Sequence, residues 1–219
     1  MRGVENLNIG VEIPVEYISK VSSILAKRDS GKTYTAGVLE EELISKRLPT
    51  IILDPMNAHW GIRTKYPVVI FGGNKADIEI TKDDGEVIAE LIINQNLTCI
   101  IDMSDWAFEE MREFGAAFGR TLYRLNTSPR HIIIEEADIF VPQKIQNKDC
   151  FLAFDAIVRR GRQKGLGVTM ITQRPAVLNK DVLTQSDIVF FMNLVAEQDM
   201  KVVNGLLDHQ VLLRRRRKN

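Results

Sequence analysis

The 219-residue chain is 45% hydrophobic and 26% charged, which suits one globular domain with a sizeable core and no disordered body. Its 29 Lys and Arg offset 29 Asp and Glu, so the chain as a whole is not a polycation and any nucleic-acid surface must be local. Cys99 and Cys150 lack metal-ligand spacing and read as buried, reduced thiols, and neither a membrane span nor a signal-type apolar stretch is seen, so a soluble, cytoplasmic protein is expected.

In chain order, residues 1–20 are an N-terminal edge strand or hairpin segment, residues 21–207 the core domain and residues 208–219 a basic tail. Residues 9–15 alternate polar and apolar, and Pro14 forbids a central strand position there. Residues 21–25 read as an apolar strand, and residues 33–46 as a helix with Val38, Leu39, Leu43 and Ile44 on one face. Short buried strands follow at 50–53, ended by Asp54-Pro55, and at 68–71, ended by Gly72-Gly73; the helix at 83–94 then opens with carboxylates where its dipole favours them. Strand 98–103, helix 105–125, strand 131–135, helix 151–163, strand 168–172, a short helix at 180–185 and strand 188–192 continue the alternation. Repeated strand and helix with fully apolar strands predicts an α/β fold, a mainly parallel sheet flanked by helices on both faces. The basic run Arg214 to Lys218 is either a solvated end or a phosphate-contacting tail.

The strand at 21–25 leads into Ala26-Lys27-Arg28-Asp29-Ser30-Gly31-Lys32-Thr33-Tyr34, the G-x-x-x-x-G-K-[ST] pattern with Ala26 in its first position. In such a loop the backbone N–H groups converge on phosphates, Lys32 reaches the terminal phosphates and the Thr33 hydroxyl ligates Mg2+. Asp29 sits where a glycine is common and tolerates positive φ better than most side chains, while placing a carboxylate beside the polyphosphate. The plain alternative is a lysine-bearing turn before an ordinary helix.

Three further stretches complete a nucleotide-hydrolysing constellation. His131 to Ile134 is an apolar strand ending in Glu135 and Glu136; neighbouring strand side chains point to opposite faces, which suits Glu135 to the magnesium shell and Glu136 to polarising water. Strand 168–172 ends in Thr172 and Gln173, and carboxyl ends of parallel strands form the ligand edge, so Gln173 is a candidate phosphate sensor. Arg159, Arg160 and Arg162 crowd a helix end, where they either complement the helix dipole or act as fingers reaching into a neighbouring subunit's site. Arg162 is favoured as the finger because it follows Gly161, where the helix can end.

Taken in order, the stretch from Ala26 to Thr33, Glu135 to Pro142, Arg160 to Gly167 and Thr172 to Pro175 resemble the ATPase domain of the HerA/FtsK superfamily of DNA-pumping motors, most of all its HerA-like branch. The resemblance implies a RecA-like P-loop ATPase core using ATP and Mg2+, a hexameric ring with hydrolysis at subunit interfaces, and double-stranded DNA threaded through it without sequence specificity. It also implies a nuclease or other effector partner, and a minimal form or fragment, since the N-terminal barrel and C-terminal extension of many relatives are missing. Asp54-Pro55-Met56-Asn57-Ala58 lacks the Gly-Glu pair common after Asp-Pro in such proteins, so no catalytic role is assigned there. Lys144 to Lys148 and Arg174 to Lys180 are the candidate DNA contacts.

Other readings compete. Asn74-Lys75-Ala76-Asp77 spells the guanine-reading N-K-x-D, but it precedes the acids and no D-x-x-G lies between it and the phosphate loop. A small-molecule kinase would need an arginine-rich lid and an acceptor-binding acid. A non-hydrolysing ring scaffold of a nuclease or antiphage complex would keep the loop and lose the turnover.

Overall fold

The computed structural model describes residues 6–27, 30–194 and 197–216, with side chains given as far as Leu206. Strands β1 (Leu7–Asn8) and β2 (Glu12–Ile13) form a small antiparallel hairpin. The main sheet has seven strands: β3 (Val21–Ala26), β4 (Thr50–Asp54), β5 (Val69–Phe71), β6 (Cys99–Asp102), β7 (Arg130–Ile134), β8 (Leu166–Thr172) and β9 (Ile188–Met192). Their order is β5-β6-β4-β7-β8-β3-β9 and every pairing is parallel. The expected α/β architecture is therefore present.

Both faces of the sheet are covered, and the strand period divides the core in two. Ile51, Leu53, Cys99, Ile101, Ile132 and Ile134 pack under helices α2 (Gly85–Asn94), α3 (Phe108–Leu125) and α4 (Lys148–Arg160). The alternate residues Ile52, Ile100 and Ile133 pack with Leu39 and Leu43 of α1 (Lys32–Ser45) and with Leu7 and Ile13 of the hairpin. Because all seven strands run one way, their carboxyl ends share one edge, and the residues following β3, β7 and β8 are brought side by side there.

The opposite edge is tied down by a buried polar network. Residues 15–19 form a 3-10 turn whose Tyr17 hydroxyl meets Ser22 Oγ at 2.5 Å and Thr169 Oγ1 at 2.9 Å. His131 Nδ1 lies 3.0 Å from the Ile18 carbonyl and its Nε2 2.7 Å from Thr169 Oγ1. A carbonyl only accepts, so Nδ1 carries the proton and Nε2 accepts from Thr169. Gly167 makes room for this arrangement: a Cβ there would stand 2.1 Å from the Ile18 carbonyl oxygen.

Two expectations are corrected. No element was expected between residue 193 and the basic tail, yet α5 (Lys180–Leu183) and β9 are followed by α6 (Glu197–Arg216), so the basic run starts within a helix. Glu197 and Asp199 sit in its first turn, Asp199 Oδ1 accepts the Ala176 N–H at 3.2 Å, and Val203 is buried, contacts that a polar, weakly periodic stretch conceals. The helix read at 151–163 runs instead from Lys148 to Arg160 with Gly161, φ −58°, as its C-cap, and residues 161–164 form a 3-10 turn that Gly165 at φ 78° terminates.

Burial holds the His131 imidazole down at about 4, against about 6.5 when unfolded. Between those values the unfolded chain binds the extra proton, so His131 contributes stability above pH 6.5 that is lost as pH falls toward 4. Urea unfolding of the wild type is expected to lose about 2 kcal/mol between pH 7 and 5 through this group. His131→Gln, which takes up no proton there, should show a correspondingly smaller drop; an equal drop in both proteins would show that His131 is not the group responsible.

Candidate nucleotide site

Ala26 closes β3 fully buried, and α1 begins only six residues later. The N-cap is Gly31 in the left-handed region, φ 86° and ψ 12°, which a glycine adopts without strain. Among the described residues no side chain caps this helix, which leaves its first-turn N–H groups and positive dipole end facing an anion's place. Ser30 Oγ donates to the Lys27 carbonyl at 2.5 Å and the Lys27 N–H bonds the Met192 carbonyl at 3.3 Å, tying the loop's base to β9. Thr33 and Tyr34 are exposed; Arg28 and Asp29 lie outside the described residues.

Lys32 turns inward, 7% exposed, and its Nζ bonds Glu135 Oε1 and, at 3.0 Å, Glu136 Oε1. Gln173 Nε2 donates to the same Glu136 oxygen at 2.6 Å. The structure thus brings together the lysine, both acids and the amide read from sequence. Glu136 is held in the left-handed region, φ 46° and ψ 54°, a conformation a non-glycine residue keeps only where its surroundings impose it. Beneath it Thr172 Oγ1 donates to Asp138 at 2.7 Å and accepts the Arg174 N–H at 3.0 Å, which fixes the end of β8 that carries Gln173.

Two participants were not foreseen. Glu40 lies on the buried stripe of α1, 1% exposed, and His59 is buried in the loop after β4. His59 Nδ1 is 2.7 Å from Glu40 Oε1, off the line of a hydrogen bond, and Nε2 is 3.7 Å from Glu135 Oε2, an ion-pair separation. Burial pushes the His59 imidazole down, but Glu40 foremost, then Glu135 and Asp54, outweigh it and hold it well above its ordinary value. Burial likewise pushes Glu135 up, and His59 and Lys32 outweigh that, so its carboxyl stays below the usual value. Glu40 was detectable in the sequence, because positions 32, 36, 39, 40 and 43 share one helix face and an acid on an apolar face needs a partner. His59 carried no periodic signal.

Glu135 Oε2 is a buried acceptor without a hydrogen bond, and Thr33 offers an exposed hydroxyl. Among the described residues no cluster of three or more His, Cys, Asp or Glu could cage a metal alone. Magnesium bound through one carboxylate and substrate phosphates needs no such cage, so the donor set fits it.

Arg159, Arg160 and Arg162 lie elsewhere. Arg159 pairs with Asp155 at 2.6 Å, Arg160 stacks over the Tyr123 ring at 5.5 Å, and Arg162 is exposed in the 3-10 turn before β8. The seven residues of β8 separate them from Gln173 by roughly 20 Å of strand, at the opposite edge of the sheet. Lys144 and Arg174, from the two stretches considered for DNA, instead line a groove of about 700 Å³ that also holds Glu136, Gln173, Met56 and Phe108. Asp77 of the N-K-x-D stretch is consumed locally, accepting the Ile70 N–H at 2.9 Å and pairing with Arg63 at 2.5 Å. It follows β5, the edge strand farthest from β3 and its loop, which rules it out as a base-reading acid for this site.

The family model of the helicase HerA central domain matches residues 3–136, which include the loop and both acids. Over 81 residues the chain is 37% identical to the probable DNA double-strand break repair helicase HerA of Methanocaldococcus jannaschii, covering 37% of this chain and 16% of that protein. Over 75 residues it is 37% identical to the DNA double-strand break repair helicase HerA of Pyrococcus furiosus, covering 34% of this chain and 13% of that one. The chain thus matches less than a fifth of either relative's length. In fold it is similar to VirB4 of Thermoanaerobacter pseudethanolicus, with a TM-score of 0.64 at 11% identity over 94% of this chain and 87% of that one. The genome packaging NTPase B204 of Sulfolobus turreted icosahedral virus 2, in complex with ATP-gammaS, gives a TM-score of 0.58 at 16% identity over 85% and 81%.

Lys32 is the lysine held against the buried Glu135 and the partly buried Glu136. Lys32→Met should therefore destabilise the fold by about 3 kcal/mol or more, because both carboxylates lose an ion-pair partner, and adding Glu135→Gln should recover most of the loss. Denaturant unfolding of the two variants measures it; additive losses would mean that the ion pair is not what holds the site.

Proposed function

Because the chain belongs to the family of the HerA helicase central domain, we propose that it is an ATPase whose hydrolysis drives movement along double-stranded DNA. The convergence of Lys32, Glu135, Glu136 and Gln173 at one sheet edge, in front of an uncapped helix N-terminus, carries this reading.

The steps follow from the contacts. ATP presents its phosphates to the α1 N-terminus, and Lys32 leaves the two acids for the terminal phosphate. Glu135 and Thr33 would hold Mg2+, which would offset the negative charge of the phosphates. Released from Lys32, Glu136 takes the proton of a water attacking the γ-phosphorus as the bond to the bridging oxygen breaks and ADP leaves. Gln173, already on Glu136, reports the change to β8 and so to the Arg174 side of the groove. The groove's Lys144 and Arg174 are the DNA-backbone contacts in this reading, a charge-based contact that reads no sequence.

Arg159, Arg160 and Arg162 are too far from their own chain's acids to stabilise charge there, so we assign them to a neighbouring subunit's site in a ring, hexameric in keeping with the resemblance. Arg162 is the finger of choice because Arg159 and Arg160 already have partners in their own chain.

Phosphate release with and without duplex DNA tests the function: stimulation by DNA is expected, and no release in either case would leave a nucleotide-binding scaffold. Glu136→Gln should bind ATP while turnover falls by about two orders of magnitude or more; normal turnover there with loss in Glu135→Gln would exchange the two roles. Arg162→Ala should assemble yet hydrolyse slowly, and mixing it with Glu136→Gln should restore some activity, since a mixed interface pairs an intact Glu136 with an intact Arg162. Mixed rings that recover nothing would place the arginine's effect within its own subunit.

A further inference from the structure

The loop between β4 and the 3-10 turn at residues 60–64 has no role in the chemistry above, yet its conformation is closely specified. Asp54, 1% exposed at the end of β4, accepts the Met56 N–H at 3.0 Å through one carboxylate oxygen and the His59 N–H at 2.9 Å through the other. Asn57 takes a positive φ of 53° between them, and the His59 carbonyl accepts the Ile62 N–H at 3.2 Å. The backbone of His59 is therefore fixed on both sides, and its ring is driven inward, its side chain 1% exposed, between Glu40 on α1 and Glu135 after β7. Glu40 Oε1, His59 Nε2 and Glu135 Oε2 are all buried without a well-formed hydrogen bond. Leaving three such atoms in a protein core is unfavourable unless something else is gained.

We propose that His59 is a positioning residue for Glu135, holding its Oε2 side from behind so that Oε1 keeps its aim at the phosphate site when Lys32 moves away. The inference rests on the reading of Glu135 as part of the magnesium shell. Among the described residues, Glu135 is held by Lys32 on Oε1 and by His59 near Oε2. Lys32 must leave for a phosphate, which leaves His59 as the remaining side-chain restraint. Glu40 acts one step further back, anchoring the imidazole to the helix that also carries Lys32. Partners behind a metal-binding carboxylate commonly change metal affinity by about 10–100-fold when removed, without touching the metal.

The test is calorimetric binding of ATPγS with Mg2+ and with EDTA, which needs no turnover. In the wild type Mg2+ should tighten binding. In His59→Ala the EDTA affinity should stay within about threefold of wild type, because Lys32 and the loop are untouched, while the Mg2+ enhancement shrinks by about tenfold. His59→Gln, which can still donate to a carboxylate, should recover part of the enhancement, and Glu40→Gln, which keeps shape and removes the anchor's charge, should lose part of it. Should His59→Ala fail to fold, those two milder variants carry the same reading. A full Mg2+ enhancement in the folded His59 variants overturns the inference, as does an equal loss with Mg2+ and with EDTA, which marks a purely structural role. Absence of ATPγS binding by the wild type is a different result: it overturns the ATPase reading itself.

Discussion

Lys32 is buried against two adjacent carboxylates, and most of the molecule can be understood as what makes that tolerable. A lone charge taken from water into a protein interior is strongly unfavourable, and a pair is acceptable only when geometry is fixed on both sides. The parallel sheet supplies that geometry. It sets the ends of β3, β7 and β8 next to one another, so that the helix following β3 delivers the cation while the residues following β7 deliver the acids. The Tyr17, Ser22, Thr169 and His131 network at the opposite edge joins the same three strands, and Gly167 leaves room for it. A slip of one residue in any of these strands would turn Glu135 away from Lys32.

What was legible in the sequence was local. Lys32, Glu135, Glu136 and Gln173 each come after a short, buried parallel strand, so topology assembles them, and the alternation of strand and helix was enough to predict a mainly parallel sheet. What was not legible depends on contacts between distant segments. Glu40 and His59 meet Glu135 only because α1, β4 and β7 pack together, and no periodicity marks a histidine five residues past a strand. The helix α6 was concealed for a similar reason: its apolar contacts, Val203 among them, are few, and its polar residues find their use in tertiary contacts such as Asp199 with Ala176. Gly161 shows that composition can suggest the wrong cause. A glycine at a helix end suggests a left-handed cap, but here it is needed for close packing, since a Cβ would meet that of Leu166 at 3.1 Å, and Gly165 makes the turn.

The sheet also separates what one subunit can do from what needs two. Among the described residues, Lys32, Glu135, Glu136 and Gln173 gather at the carboxyl edge, whereas the arginine cluster sits where β8 begins. Rotamer changes cannot span that distance, because an arginine side chain reaches only about 7 Å while the strand is roughly 20 Å long. An arginine contribution to hydrolysis therefore belongs to contact between chains, and any such dependence is a statement about assembly.

The same ion pair orders the events within one site. Glu136 shares one oxygen between Lys32 and Gln173, so while Lys32 stays the carboxylate is occupied. A phosphate that draws Lys32 away removes that cation and exposes the carboxylate in a single movement. Binding is weakened, since part of the phosphate's attraction for Lys32 is offset by the ion pairs it breaks. On the proposed assignment of Glu136, the base becomes effective only when there is a phosphate to attack. Gln173 keeps its contact with Glu136 through this change and lies at the start of the segment leading to Arg174 and the groove. The state of the phosphate is thereby connected, through one hydrogen bond and one strand end, to the surface assigned to DNA.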